Sequence, residues 1–430
     1  MTSLFVSDNQ YEELDGDVDT NRRRRRRRHS WRNVLRQTTL STILKISAAL
    51  AVLFLLFEFA IWEPHIELAF YRRSWIKEEI LTVEPLAGCF QSSRLSPHYN
   101  LTRAMAPKHR QIQAGMPLRL GMDCYNFAGT ISPPRPSDPL LSSERTNYHS
   151  YWRADLAPFG PRQEWMLKSF FATQDIEHSR FILWTNGDLL SRSQVLQRWV
   201  RRHPDVFEVR VVDVHELAEG TALEGSKLLD INDAKAWVDG DLVRLLVIWA
   251  YGGLWVDMDE LFTRDLSPLL EHEFISQWDC YDKIYVPFNG AVMHFLQHSP
   301  YLCEAFEIMA HSPPPRRDST DWGSLLYLKL WRRLVAGGVE PFKVLPWCFV
   351  DGRSCRLDNR LPDPFSRDSD SWAGGDMKEG GLLDKTLNNV FTVHLHNQWD
   401  KAFAKDGWVQ RLLLQKFDEI LRTRGWIPES

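Results

Sequence analysis

The sequence predicts an α/β domain with a mainly parallel sheet, preceded by one membrane-spanning helix. Three observations carry that expectation. From Tyr148 onward, short apolar or β-branched runs alternate with apolar residues at helical spacing. One dense helical pattern stops at a glycine pair and leads directly into a strand-like run. A separate apolar segment, Ile43 to Trp62, stands near the N-terminus.

In chain order, Asp15, Asp17 and Asp19 precede the unbroken run Arg22 to Arg28, with Arg32 and Arg36 beyond it. Ile43 to Trp62 follows, roughly 30 Å of helix at 1.5 Å per residue and therefore long enough for a bilayer core. Lys45 can snorkel at one end, Glu58 lies near the other, and Trp62 suits the far interface. The preceding tail is too long for a cleaved signal, and no small-x-small site occurs before Glu63-Pro64. The positive-inside rule accounts for arginines beside a span better than nucleic-acid contact does. The net charge of -4 supplies no global reason for a nucleic-acid partner. The expected organisation is a cytosolic basic tail (1–42), a signal anchor (43–62), a stem and irregular lead-in (63–144) and a luminal domain (145–430).

The lead-in contains the proline cluster Ser132 to Pro139, which cannot continue a helix or a central strand. All six cysteines lie beyond the apolar segment, and no CxxC pair suggests zinc or thiol redox chemistry. Six cysteines allow 15 pairings, of which spacing singles out only the short Cys348–Cys355 loop. Asn100-Leu101-Thr102 is a glycosylation sequon, usable on the luminal side.

Within the domain, Arg162 to Ala172 reads as a helix and Phe181 to Thr185 as a strand. Ser193 to His203 places Val195, Leu196, Trp199 and Val200 on one helical face, and Phe207 to Val212 reads as the next strand. Phe391 to His396 is a late strand, and an amphipathic helix from Gly407 closes the chain. The 18 tryptophans suit either core packing or ring-shaped ligands.

The chemistry concentrates at "DLVRLLVIWAYGGLWVDMD", Asp241 to Asp259. Asp241 and Arg244 stand at i and i+3, on one helical face. After Gly252-Gly253, strand alternation would send Asp257 and Asp259 to one side at a strand's C-terminal end, where α/β sheets gather ligands. Two converging carboxylates form an oxygen-rich half-shell for Mn²⁺ or Mg²⁺. A bare Asp-x-Asp is weak: Asp15–Asp17, Asp17–Asp19, Asp239–Asp241 and Asp368–Asp370 share the spacing and read as solvated or capping pairs. The helix, glycine pair and strand set Asp257–Asp259 apart.

This block resembles the core of glycosyltransferases with a DXD sugar-binding motif, the family 32 group of Golgi mannosyltransferases, inositolphosphoceramide mannosyltransferases and α-1,4-galactosyltransferases. "YHSYWR", Tyr148 to Arg153, is similar to the strand that opens their catalytic domain, and "FILWTN" to their next strand. "VHLHNQW", Val393 to Trp399, resembles their closing histidine-bearing segment. The likeness runs from about Tyr148 to Trp399.

The resemblance implies a GT-A-like nucleotide-sugar-binding domain and a retaining, metal-dependent hexosyltransferase. Its donor would be a nucleotide sugar of the UDP-galactose or GDP-mannose class, and its acceptor a glycan or glycolipid in the Golgi lumen. Asp259 would ligate the metal, with Asp257 on the ribose or on the metal through water. Asp241, Arg244, Asn289 and His149 would contact the donor, Arg244 also assisting departure of the diphosphate. His394 would complete the metal shell, with His396 in reserve. "DWGSLL", Asp321 to Leu326, stands where the family has Gly-Pro: Gly323 fits, while Ser324 replaces the proline. The sequence contains no convincing side-chain nucleophile, which favours front-face substitution. Two other readings are a catalytically silent glycan-binding protein and a haloacid-dehalogenase-like phosphatase. Against the phosphatase, Leu261 stands where that family needs Thr or Val.

Overall fold

The structure is a computed structural model describing residues 16–62, 70, 73, 76, 83–132, 145–280, 286–353, 355, 359–367 and 381–427. Pro133 to Pro139 of the proline cluster and the Asp368–Asp370 pair lie outside the described residues. The chain divides into two units, residues 1–81 and 82–430.

Among the described residues, the first unit contains one long helix, Gly16–Ile61. Its part Thr39–Ile61 is 23 residues long, with no residue of its most apolar stretch buried, and apolar enough to cross a membrane. The backbone is already helical through the arginine run, so span and basic segment share one element.

The second unit is built on a seven-stranded sheet in the order β3-β2-β1-β4-β7-β6-β8. The strands are β1 (Thr146–Trp152), β2 (Ser179–Thr185), β3 (Phe207–Val211), β4 (Gly253–Val256), β6 (Phe274–Gln277), β7 (Phe288–Phe295) and β8 (Lys343–Leu345). Four pairings are parallel (β1–β2, β2–β3, β1–β4, β6–β8), and β7 runs antiparallel to both of its neighbours. The sheet is therefore mainly parallel, as the alternating pattern predicts. Alternation along each strand feeds two cores. Tyr148, Phe181, Leu183, Leu254 and Val256 pack on one face, and Ile182, Trp184, Trp255 and Met293 on the other.

The predicted helices form at Pro161–Thr173 and Gln194–Arg202, the latter capped by the Ser193 hydroxyl accepting from the Leu196 amide. The late strand differs from expectation. β9 (Thr392–His394) stays outside the main sheet and pairs antiparallel with β5 (Glu260–Phe262). The closing helix opens with a π-helical stretch, Val409–Leu414, before regular α-helix from Gln415 to Thr423. The disulfides are Cys89–Cys303, Cys124–Cys348 and Cys280–Cys355. Cys348 and Cys355 are thus not partners: each ties its end of one loop to a distant element.

The helix Val238–Tyr251 ends at the glycine pair as expected. Gly252 has φ 62° and Gly253 φ 111°, left-handed values that disfavour any Cβ. A Cβ on Gly253 would also stand 2.2 Å from the Asn147 carbonyl oxygen of β1, a backbone atom unable to withdraw. The pair lets the helix reverse directly into β4 against β1. Gly253→Ala is accordingly expected to lower stability by roughly 2–4 kcal/mol, read from denaturant midpoints. An unchanged midpoint would show that the turn tolerates a side chain.

Candidate active site

A cleft of about 390 Å³ opens at the C-terminal ends of the parallel strands. Tyr151, Trp152 and Arg153 enter from the end of β1, and Asp257 to Asp259 from the turn after β4. Asn289 and Gly290 open the antiparallel β7 at this same edge, and Gly323 and Ser324 sit at the N-terminus of the helix Ser324–Ala336. His394, Asn397 and Trp399 close the far side. Five tryptophans line the cleft: Trp152, Trp237, Trp255, Trp278 and Trp399.

One wall is a buried charge network. The Arg244 guanidinium donates to Asp241 at 2.6 Å, to the Tyr327 hydroxyl at 3.1 Å and to Asp257 at 3.0 Å. Trp255 Nε1 donates to the same Asp257 oxygen at 2.6 Å, fixing the first DXD aspartate from two sides. Burial pushes the Asp241 carboxyl up to about 7 against the pull of Arg244. Burial disfavours the Arg244 charge, yet Asp257, Tyr327 and Asp241 together hold its pKa above the usual arginine value. Two glycines make room for this network. A Cβ on Gly290 would lie 2.3 Å from Arg244 Nη1, and one on Gly323 2.7 Å from Asp241 Oδ2. Asn289 Nδ2 and Ser324 Oγ are buried at the cleft without a hydrogen-bond partner, as groups awaiting a ligand would be.

The opposite wall holds Asp259 and His394. Asp259 is almost fully buried; its Oδ2 accepts from the Asn397 amide at 2.6 Å and faces His394 Nε2 at 3.2 Å. Burial favours its neutral form, but His394 and the Asn397 amide outweigh that and depress its pKa. Burial likewise opposes charge on His394, whereas Asp259 and Glu260 raise the imidazole pKa well above its usual value. One potential ligand atom from each of Asp257, Asp259 and His394 falls within 4.8 Å of the others. Two carboxylates and an imidazole at that separation suit a divalent transition ion.

Residues 164–275 match the family described as glycosyltransferase sugar-binding region containing DXD motif. The chain carries the sugar-binding region of a DXD glycosyltransferase. Three solved structures show similarity. The Streptococcus pneumoniae TIGR4 glycosyltransferase GlyE shares 11% identity over 66% of this chain and 64% of its own, less than two thirds of that structure, with a TM-score of 0.36. The galactosyltransferase LgtC, solved with donor and acceptor sugar analogues, shares 14% over 65% of this chain and all of its own, with a TM-score of 0.35. The PaToxG glycosyltransferase shares 12% over 50% and 83%, with a TM-score of 0.30.

In this glycosyltransferase Asp241, Arg244, Asp257, Asp259, Asn289 and His394 all line the one cleft. The DXD aspartates do not arise from strand alternation, however. β4 ends at Val256, and both stand on the turn between β4 and β5. His149 is a correction: it does not line the cleft. It lies midway along β1, wholly buried, its Nε2 on the Gly252 carbonyl at 3.0 Å and its Nδ1 accepting from Trp184 at 3.1 Å. Burial pushes its imidazole down to about 4, so it is a neutral core histidine. His396 stands outside the cleft lining, in a second group with Asp351 and His394 whose ligand atoms lie within 4.8 Å of one another. β9 stops at His394, and His396 follows in a left-handed turn with φ 52°, bonded to Asp351 at 3.0 Å rather than facing the cleft. Its ring nevertheless stacks on His394, with centroids 4.3 Å apart.

Sequence reasoning missed Gly290, Tyr327, Asn397 and Asp351. None carries a spacing signal, because their partners lie far along the chain. Gly290→Ala offers a test of the crowded wall. Arg244 cannot yield without leaving both carboxylates, so a fall in kcat/KM of roughly tenfold to a hundredfold is expected, the scale of a misplaced catalytic group. Gly187→Ala, whose Cβ would meet open space, is the control expected to leave turnover unchanged. Equal turnover in both variants would refute the steric reading.

Proposed function

We propose that this enzyme is a retaining, metal-dependent hexosyltransferase of the family 32 type. It moves a sugar from a nucleoside-diphosphate donor, of the UDP-galactose or GDP-mannose class, to a glycan or glycolipid. The observation that carries the reading is the convergence of Asp257, Asp259 and His394 to within 4.8 Å of one another in a tryptophan-lined cleft. Asp259 and His394 would hold the ion, with Asp257 beside it or acting through water. A nitrogen donor in the set favours Mn²⁺ over Mg²⁺. Bound there, the ion would supply positive charge against the diphosphate as it leaves.

The remaining work falls to the chain's own groups. Asp241 and Asn289 line the wall where the donor sugar would lie, and the unpartnered Asn289 Nδ2 can donate to a hydroxyl. Arg244 has both terminal nitrogens engaged by Asp241, Tyr327 and Asp257. That pattern supports orienting the two carboxylates as its main contribution, with its charge reaching the phosphates only at longer range. Front-face substitution fits a cleft in which each acidic side chain already has a binding or orienting partner.

Asp259→Asn keeps size but loses one ligand charge. It is expected to abolish Mn²⁺-dependent nucleotide binding and to reduce transfer by at least about a hundredfold, while the melting curve stays cooperative. A panel of UDP- and GDP-sugars, with and without Mn²⁺, reads both effects on the detergent-solubilised chain. Near-wild-type transfer would sink the assignment.

For topology, we propose a single-pass type II protein of the Golgi membrane, with residues 1–42 cytosolic, 43–62 as anchor, 63–144 as stem and 145–430 as the luminal catalytic domain. The arginine run before Thr39–Ile61 supports this orientation. Asn100 is exposed, and its Oδ1 caps the short helix Leu101–Met105 by accepting from the Arg103 amide at 2.9 Å. Its Nδ2 remains available for a glycan. Endoglycosidase is expected to increase the mobility of the full-length protein, and Asn100→Gln to remove that shift. Protease access to the C-terminus from the cytosolic side of intact vesicles would refute the orientation.

A further inference from the structure

Behind His394 lies a second group of ionisable side chains that the sugar cleft does not touch. Asp351 and Glu260 are both fully buried. Asp351 Oδ1 bonds His396 Nε2 at 3.0 Å, while its Oδ2 stands 3.6 Å from His394 Nδ1. Glu260 Oε1 approaches the same nitrogen at 3.7 Å. Both distances exceed a hydrogen bond, and His394 Nδ1 is a buried atom without one. Glu260 also lacks a well-formed hydrogen bond on either oxygen.

The loop carrying Asp351 is held unusually firmly. Cys348 and Cys355 flank the residue, and each is tied by a disulfide to a different part of the domain, Cys124 and Cys280. The Asp351 amide donates to the Trp347 carbonyl at 2.8 Å, and the Phe391 amide, next to β9, donates to Phe349 O at 2.9 Å. One carboxylate therefore reaches His394 by two routes. It faces Nδ1 directly, and it anchors His396, whose ring lies flat on His394 with an interplanar angle of 15°.

We propose that Asp351 is a positioning residue for metal binding, clamping the stacked His394–His396 pair so that His394 presents Nε2 to Asp259 across the ion site. A carboxylate on the far nitrogen of a ligating imidazole fixes the proton there, orients the ring and raises the basicity of the ligating atom. His396 thereby acts as a spacer pressed between the clamp and the ligand. This inference rests on the reading of His394 as a metal ligand. The geometry assigns Asp351 no contact with the sugar donor, since it does not line the cleft.

The test is a donor-free Mn²⁺ titration of the full-length protein in detergent, read by the electron paramagnetic resonance signal of free Mn²⁺. It compares wild type, Asp351→Asn, His394→Ala and the double variant, with thermal unfolding recorded for each. Asp351→Asn is expected to weaken Mn²⁺ binding about 10- to 100-fold, the range for loss of an outer carboxylate. In the His394→Ala background it should add less than about twofold, because its route to the ion is gone. Asp351→Glu, which keeps the charge but moves it, should weaken binding in the same direction and serves if the Asn variant does not fold. Unchanged affinity in both Asp351 variants, or an equal loss with and without His394, overturns the clamp. His394→Ala leaving Mn²⁺ affinity intact would instead remove the ligand assignment, and the clamp with it. That failure is distinguishable, because it appears in the single histidine variant.

Discussion

The site depends on one buried guanidinium. Arg244 joins the helix Val238–Tyr251, the turn after β4 and, through Tyr327, the helix Ser324–Ala336. Breaking such a buried pair from one side typically costs about 3–5 kcal/mol, because a charge is left uncompensated. Gly290 and Gly323 are small because this network passes within van der Waals reach of their backbones. The glycine pair after Tyr251 brings the helix and β4 back to back, which lets residues 13 positions apart meet. Chain reversal, charge pairing and close packing are thus one constraint seen at three scales.

The opposite wall solves a different electrostatic problem. Asp259, Glu260 and Asp351 are three carboxyl groups with almost no access to water. Together they would be prohibitively costly as bare anions. The structure divides them by environment: His394 and a backbone amide hold Asp259 ionised, both histidines do the same for Asp351, and Glu260 keeps its proton. Such separation of neighbouring titratable groups is how an active site keeps charge where a cation can use it.

The legible parts of this molecule were the local ones. The helix, glycine pair and DXD turn run without a break from Val238 to Asp259, and their physics (helical spacing, a left-handed stop, an apolar run) is written in adjacent letters. The parallel sheet followed from alternation; β2 and β3 formed where strand-like runs predicted them, and β1 where the resemblance implied a strand. His149 was misread for a reason alternation cannot resolve. Its strand was identified, but which residue of a strand reaches the sheet edge depends on where the cleft begins. Here the cleft begins two residues later, at Tyr151. Asp351 and Tyr327 were invisible because their partners lie 45 and 83 residues away. The disulfides were equally closed to spacing, since two of the three bridge more than 200 residues.

The pairing of β5 with β9 has a consequence for how the enzyme is made. The Asp259 carboxylate is completed by an amide 138 residues later, so the DXD turn precedes much of its own surroundings during synthesis. Contacts of such separation form late, after the loop between them has closed. During synthesis the nascent domain carries an acidic turn with neither histidine nor amide to offset it. A product released before Thr392 would keep most of the sheet but not a finished site. Catalytic competence in this enzyme thus arrives only once Thr392 to Asn397 have been made, long after the carboxylates they complete.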